Sequence, residues 1–257
     1  MGWLRKWRRS RAARRYRPSA AAWARAEAAL PRLRRLDPRQ RERLGVTAAA
    51  FIDEKRFEGL GDVTLEEPVI GAIALQAAVP VLELGLDWYA PWTTVLLYPA
   101  GFVARHEYED EDGIVHVDEG PLIGEAWEGG PLVLSVEDAL EPDPGTCVVI
   151  HECAHKLDMG QGSVNGLPPL PRGMSVGEWS AALEPAFRSL GAEVARTEDL
   201  AEEGEGGREL PLDPYAAEDP GEFFAVVSET YFTDPRRLRR AYPAVHGQLV
   251  RFYGWEL

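Results

Sequence analysis

Cysteine is almost missing: the 257-residue chain has two, Cys147 and Cys153. Six residues apart on what reads as one helix, they point in different directions, which excludes a disulfide between them and suits a reducing compartment. Long apolar runs are missing too. The best stretch, residues 69–86, is broken by Gly71, Gln76, Pro80 and Glu83, well short of the roughly 20 apolar residues of a membrane span. The basic start lacks the apolar core of a secretory signal. Zinc-finger spacings and aromatic RNA-binding signatures are absent as well. The expectation is a soluble, cytoplasmic protein with no transmembrane segment and no direct nucleic-acid partner.

Negative charge is scarce at one end and dominant elsewhere. Residues 1–45 carry 15 basic and 3 acidic side chains, a charge of +12, and the remaining chain carries −26, together the net −14. This asymmetry predicts a basic helical arm, residues 1–45, on an acidic domain, residues 46–257. Such an arm can sit in water, meet an anionic surface, or fold onto the acidic body of its own chain. On this reading residues 1–36 are dispensable for metal binding.

Hydrophobic periodicity and turn residues divide the acidic part into an α+β pattern. Helix is expected to continue over 46–58, with a short strand at 63–66 and a buried helix over 69–85 interrupted by Pro80. Residues 93–98 read as a strand, and 102–108 with 114–117 as a hairpin. Leu132–Ser135 follows Gly129-Gly130-Pro131 and reads as a strand, placed at a sheet edge where it can pair with a substrate backbone. A helix is expected from Asp143 or Pro144 to Met159, another over 178–190 disturbed by Pro185, and an acidic Gly-rich loop over 198–209. Two more helices are expected, over 219–233 and around 236–252.

The helix ending near Met159 contains His151-Glu152-Cys153-Ala154-His155, an HExxH pattern. At 3.6 residues per turn, His151 and His155 lie about 40° apart around the axis, so both imidazoles can bind one zinc at about 2.0–2.1 Å. Glu152 lies about 100° away, placed to take a proton from a metal-activated water and carry it to a leaving amine. A chance match is expected on the order of 0.01 times in such a chain. The surrounding apolar residues would bury the metal.

HExxH supplies two ligands, and catalytic zinc usually has three. The longer metzincin motif fails, because its Gly and His positions hold Asp158 and Gln161. His106, His116 and His246 are possible third ligands without a supporting pattern. The better candidate is Glu222, three residues after Asp219. That spacing is equally a capping box, with Asp219 as N-cap. Glu229, two turns on along the same face, is the rival ligand. Phe223 and Phe224 read as core. Asp158 can orient His155 or bond locally, and Cys147 reads as core rather than as a thiolate ligand.

These residues resemble a known family. Ile150-HECAHKLD-Met159, with Tyr215-Ala-Ala-Glu-Asp-Pro-Gly-Glu222-Phe-Phe-Ala-Val, is similar to the Mlc titration factor A family, bacterial zinc peptidases whose core is similar to the protease domain of anthrax lethal factor. The likeness extends to residues 54–59, 92–103, 127–135 and 232–249; Cys153 departs from it, standing where the family often has Phe. The resemblance implies a zincin-like, gluzincin-type fold with a small mixed sheet, an HExxH helix and a second, Glu-bearing helix. It implies one Zn²⁺ per chain, with Glu222 the third ligand. It further implies that Tyr215 assists catalysis, its phenol placed for an oxyanion. The expected activity is that of a zinc metallopeptidase acting on a peptide or protein, aminopeptidase action being one form of it. The family name also implies a regulatory alternative, in which the chain sequesters a Mlc-like transcriptional repressor.

Overall fold

The computed structural model describes residues 11–13, 15–100, 102–109, 115–122, 124–126, 130–202 and 210–257. Its architecture is α+β: helices surround one small mixed sheet. Chain order runs α1 (Ala20–Ala29), α2 (Pro38–Glu54), β1 (Arg56–Gly59), α3 (Glu67–Ala78), β2 (Thr94–Tyr98), β3 (Phe102–Glu109), β4 (Val115–Leu122), β5 (Gly124–Ala126) and β6 (Leu132–Ser135). Then follow α4 (Val136–Leu140), α5 (Val148–Asp158), α6 (Val176–Glu202), α7 (Pro220–Thr233), α8 (Pro235–Ala241) and α9 (Pro243–Tyr253).

Strands β1, β2 and β6 are parallel, and β5 joins the far side of β6 antiparallel, giving the order β1-β2-β6-β5. Strands β3 and β4 form a separate antiparallel hairpin. This corrects the placement of Leu132–Ser135 at an edge. All four residues are buried, and both sides of β6 are paired. The edge next to it belongs to β5, which has no second neighbour among the described residues.

The basic N-terminal region is part of the core. Ala22, Ala26, Leu30 and Leu33 are at most 1% exposed. A Cβ at Gly71 in α3 would lie 2.6 Å from Cβ of Ala22, so the Ala22 methyl of α1 rests on the backbone of α3. Residue 45, the expected end of the arm, lies in mid-helix within α2. Removing residues 1–36 would uncover the face of α3 that meets α1. Several of the arm's charges meet the chain's own acids: Arg17 pairs with Glu42, Arg41 with Glu27, and Arg43 with Glu83. Residues 1–10 fall outside the described residues.

Other boundaries shift for local reasons. No strand forms at 63–66; β1 lies earlier and pairs with β2. The end of α2 is tied to this pair by Lys55, whose ammonium donates to the carbonyls of Tyr89 and Trp92 and lies 3.8 Å from the Trp92 ring. Helix α6 runs through Pro185 to Glu202, longer than expected. Trp179, Leu183, Ala186 and Leu190 are buried along it, and their packing outweighs the one backbone bond a proline removes. The expected loop at 198–209 is therefore helix as far as Glu202, and 203–209 lies outside the described residues. No helix among the described residues is long and apolar enough to cross a membrane.

Candidate metal centre

Helix α5 packs against α7, and both are buried on nearly every side. The start expected at Asp143 or Pro144 is wrong by about one turn. Gly145 has φ +93°, which takes the chain out of helical geometry. The backbone N–H of Cys147 is met instead by the Glu229 carboxylate of α7. A tertiary contact thus replaces a local cap, and it locks the two helices together where the histidines begin.

His151 and His155 project from one face of α5, ring centroids 4.9 Å apart. At the first turn of α7, Asp219 accepts from the N–H groups of Gly221 and Glu222 and caps the helix alone. The Glu222 carboxylate does not complete a capping box. It turns to α5, its Oε2 lying 3.1 Å from His151 Nε2 and 3.3 Å from His155 Nε2. The two imidazole nitrogens are 3.2 Å apart. These three atoms form a nearly equilateral triangle. Tetrahedral zinc with bonds of about 2.0–2.1 Å has neighbouring ligand atoms about 3.3–3.4 Å apart. Two imidazole nitrogens and a carboxylate oxygen also match the donor chemistry of such a metal.

The electrostatics agree with the geometry. Burial works against a charged His151, but the carboxylates of Glu222 and Glu229 outweigh it and raise its pKa to about 10. Burial pushes Glu222 up, yet the two imidazoles pull it down to about 2.

Glu229, the rival ligand, occupies another place. Its Oε2 is 3.4 Å from His151 Nδ1, on the ring nitrogen facing away from the triangle. It can therefore orient the imidazole, as carboxylates behind ligand histidines do. Asp158 does not perform this task for His155. Its Oδ2 accepts from Asn165 N at 2.9 Å and Gly166 N at 2.7 Å, while His155 Nδ1 has no hydrogen-bond partner among the described residues. Asp158 instead shapes the loop after α5, and that loop seats α7. A Cβ at Gly166 would lie 2.4 Å from Pro220 O, and one at Gly221 would lie 2.2 Å from Val164 Cγ1. The chain therefore needs glycine at both points to bring Glu222 against the histidines.

Cys147 is buried and contacts Gln76, and Phe223 and Phe224 are core. His246 pairs with Glu256 at 2.8 Å rather than with the histidines of α5. The side chains of His106 and His116 are outside what the structure describes.

A cleft of about 900 Å³ reaches the triangle from the His151 side. His151, Glu152 and Tyr215 line it, whereas His155 and Glu222 do not. Glu152 is 5% exposed and Tyr215 40%. The ring of Tyr215 lies 6.1 Å from that of His151. Burial, then the carboxylates of Glu222, Glu218 and Glu152, raise the Tyr215 pKa and keep the phenol protonated, hence a donor. Sequence reasoning missed one further cleft residue, Arg237, because no motif surrounds it.

The family model for glucose-regulated metallo-peptidase M90 matches residues 4–254. A protein named Mlc titration factor A from Serratia proteamaculans is 37% identical over 230 residues, covering 88% of this chain and 84% of the relative. One of the same name from Salmonella arizonae is 36% identical over 229 residues, covering 88% and 87%. Another, from Yersinia pestis, is 35% identical over 227 residues, covering 87% and 81%.

Proposed function

The chain belongs to the glucose-regulated metallo-peptidase M90 family, and from that premise we propose that it is a zinc-dependent peptidase of zincin-like fold, its one Zn²⁺ held by His151, His155 and Glu222. The observation that carries this reading is the triangle of donor atoms with edges of 3.1, 3.2 and 3.3 Å. When bound there, zinc polarises a substrate carbonyl and brings the pKa of a water toward about 7.

The chain's own groups supply the rest. Glu152 follows the first ligand histidine and faces the cleft. Its carboxylate removes the proton of the attacking water and returns it to the amine nitrogen as the peptide bond breaks. Tyr215 donates its phenolic hydrogen to the oxygen that becomes negative in the transition state. Glu229 holds the His151 ring from behind. The edge of β5, which has no second neighbour among the described residues, is suited to receive the substrate as an added strand, its backbone paired and its side chains alternating.

Removing one ligand tests the site. Wild-type protein is expected to carry about one zinc per chain by elemental analysis, and Glu222→Ala far less, with a matching loss of peptide hydrolysis. Zinc retained in full by the variant would move the third ligand elsewhere and overturn the assignment.

Aminopeptidase action is the finer form of this reading. Asp138, Glu141, Asp143 and Asp213 line the cleft beside the site, a field that favours a free α-amino group over a carboxylate. Peptides with a free N-terminus are expected to be cut at least tenfold faster than their N-acetylated forms, followed by mass spectrometry. Equal rates would refute the aminopeptidase reading and leave the metal site standing.

A second reading rests on the relatives' name. Proteins called Mlc titration factor A cover most of this chain, which favours binding of a Mlc-like transcriptional repressor. That role places the chain in the cytoplasm, where its two cysteines, both free, would stay reduced. Sequestration and hydrolysis are compatible in one molecule, and the variant that separates them is Glu152→Gln.

A further inference from the structure

Tyr215 sits on a short segment with a firm interior that packs against α6 and α7. Asp213 accepts from Tyr215 N at 2.9 Å and opens the 3₁₀ turn Pro214–Ala217. Leu212 and Ala216 are buried on either side. The tyrosine itself is 40% exposed, with its phenol beside the Glu222 carboxylate, so packing holds its ring only in part. The rest of its placement depends on where the backbone of the segment is held.

A further anchor, made of hydrogen bonds, comes from α8. The Arg237 guanidinium donates from Nε to Pro211 O at 2.7 Å and from Nη2 to Leu210 O at 3.1 Å. Two parallel donors on two successive carbonyls make a fork that sets both distance and angle. Arg237 N in turn donates to Asp234 Oδ1 at 3.1 Å, in the cap of α8 just after α7. Arg237 also forms part of the wall of the cleft that holds His151, Glu152 and Tyr215. The helix that presents Glu222 is thereby tied, through α8, to the segment that presents Tyr215.

We infer that Arg237 is a positioning residue, whose fork on the carbonyls of Leu210 and Pro211 aims the Tyr215 phenol at the reacting carbonyl. This rests on the peptidase reading and on the role proposed there for Tyr215. In this role Arg237 acts through Tyr215 rather than on the reacting atoms. It acts by holding a donor within the narrow tolerance that transition-state stabilisation requires.

A double-variant cycle on the zinc-loaded enzyme tests this, using Tyr215→Phe, Arg237→Met and the two combined. Tyr215→Phe is expected to lower kcat about 10²–10³-fold, as loss of an oxyanion donor does. Arg237→Met is expected to lower kcat about 10–10²-fold, with KM nearly unchanged and zinc content intact. In the combined protein the second change adds nothing, because the misplaced hydroxyl is already gone. Arg237→Lys, with one ammonium for two carbonyls, restores activity only in part, and it serves as the second variant should Arg237→Met fold poorly. Losses that multiply in the combined protein, or zinc lost from both Arg237 variants, would overturn the inference while leaving the peptidase reading intact. Full activity in Tyr215→Phe alone would overturn the role of Tyr215, and this inference with it.

Discussion

Glu152→Gln is expected to keep about one zinc per chain and to lose about 10²–10⁴-fold in peptide hydrolysis. The substitution preserves shape and removes the one property the mechanism uses, a carboxylate able to take and return a proton. The three donor atoms come from His151, His155 and Glu222, so the site for the metal remains. Glu152 is 5% exposed, and Gln fills the same space with only a modest change in stability. Zinc analysis, steady-state hydrolysis and repressor binding on one preparation separate the two proposed roles. Activity equal to wild type would refute Glu152 as general base. If the variant binds the repressor and still changes transcription, sequestration is sufficient for regulation. If regulation is lost while zinc and fold are kept, sequestration alone fails and cleavage is required.

Gly166→Ala is expected to damage the metal site from a residue that is not among its ligands. Gly166 has φ +76°, and a Cβ there would meet Pro220 O at 2.4 Å. The left-handed conformation costs an L-residue about 1–2 kcal/mol, and forced overpacking adds about 1–3 kcal/mol. Pro220 is the first residue of α7, two before Glu222, so relief of the clash moves the third ligand away from the histidines. Gly173→Ala is the matched control: its φ is +88°, but nothing lies within 4 Å of the added carbon. Gly173→Ala should lose about 1–2 kcal/mol and keep its zinc. Gly166→Ala should lose more stability and bind zinc at least tenfold more weakly in a chelator competition. Wild-type zinc affinity in Gly166→Ala would show that the loop after α5 does not position Glu222.

Much of the site was legible because its signals are local. The HExxH spacing needs only a helix, and Asp219-Pro220-Gly221-Glu222 announces a helix start whatever surrounds it. Leu132–Ser135 stood out as a strand for the same reason, but its place in the sheet depended on β5, a three-residue strand close before it with a weak signature. The true start of α5 was hidden because its cap is Glu229, 82 residues away. Strand β1 was missed because a four-residue, largely polar segment becomes a strand only when β2 lies beside it. The basic arm looked separable because charge was more conspicuous than its alanines, yet Ala22 and Ala26 are what let α1 approach α3. Arg237 left no trace in the sequence, since backbone carbonyls as partners carry no residue identity.

The side of β5 with no second neighbour among the described residues also bears on what the proposed peptidase could destroy. A sheet edge accepts a chain only when several consecutive residues are extended and their backbone groups unpaired. Folded proteins keep those groups engaged in their own helices and sheets. Frayed ends, linkers and transiently opened segments would be admitted, and well-packed domains turned away. Selectivity would then follow the local opening equilibrium of each target. Two proteins with identical cleavage sequences would differ in lifetime according to how often each one loosens at that point.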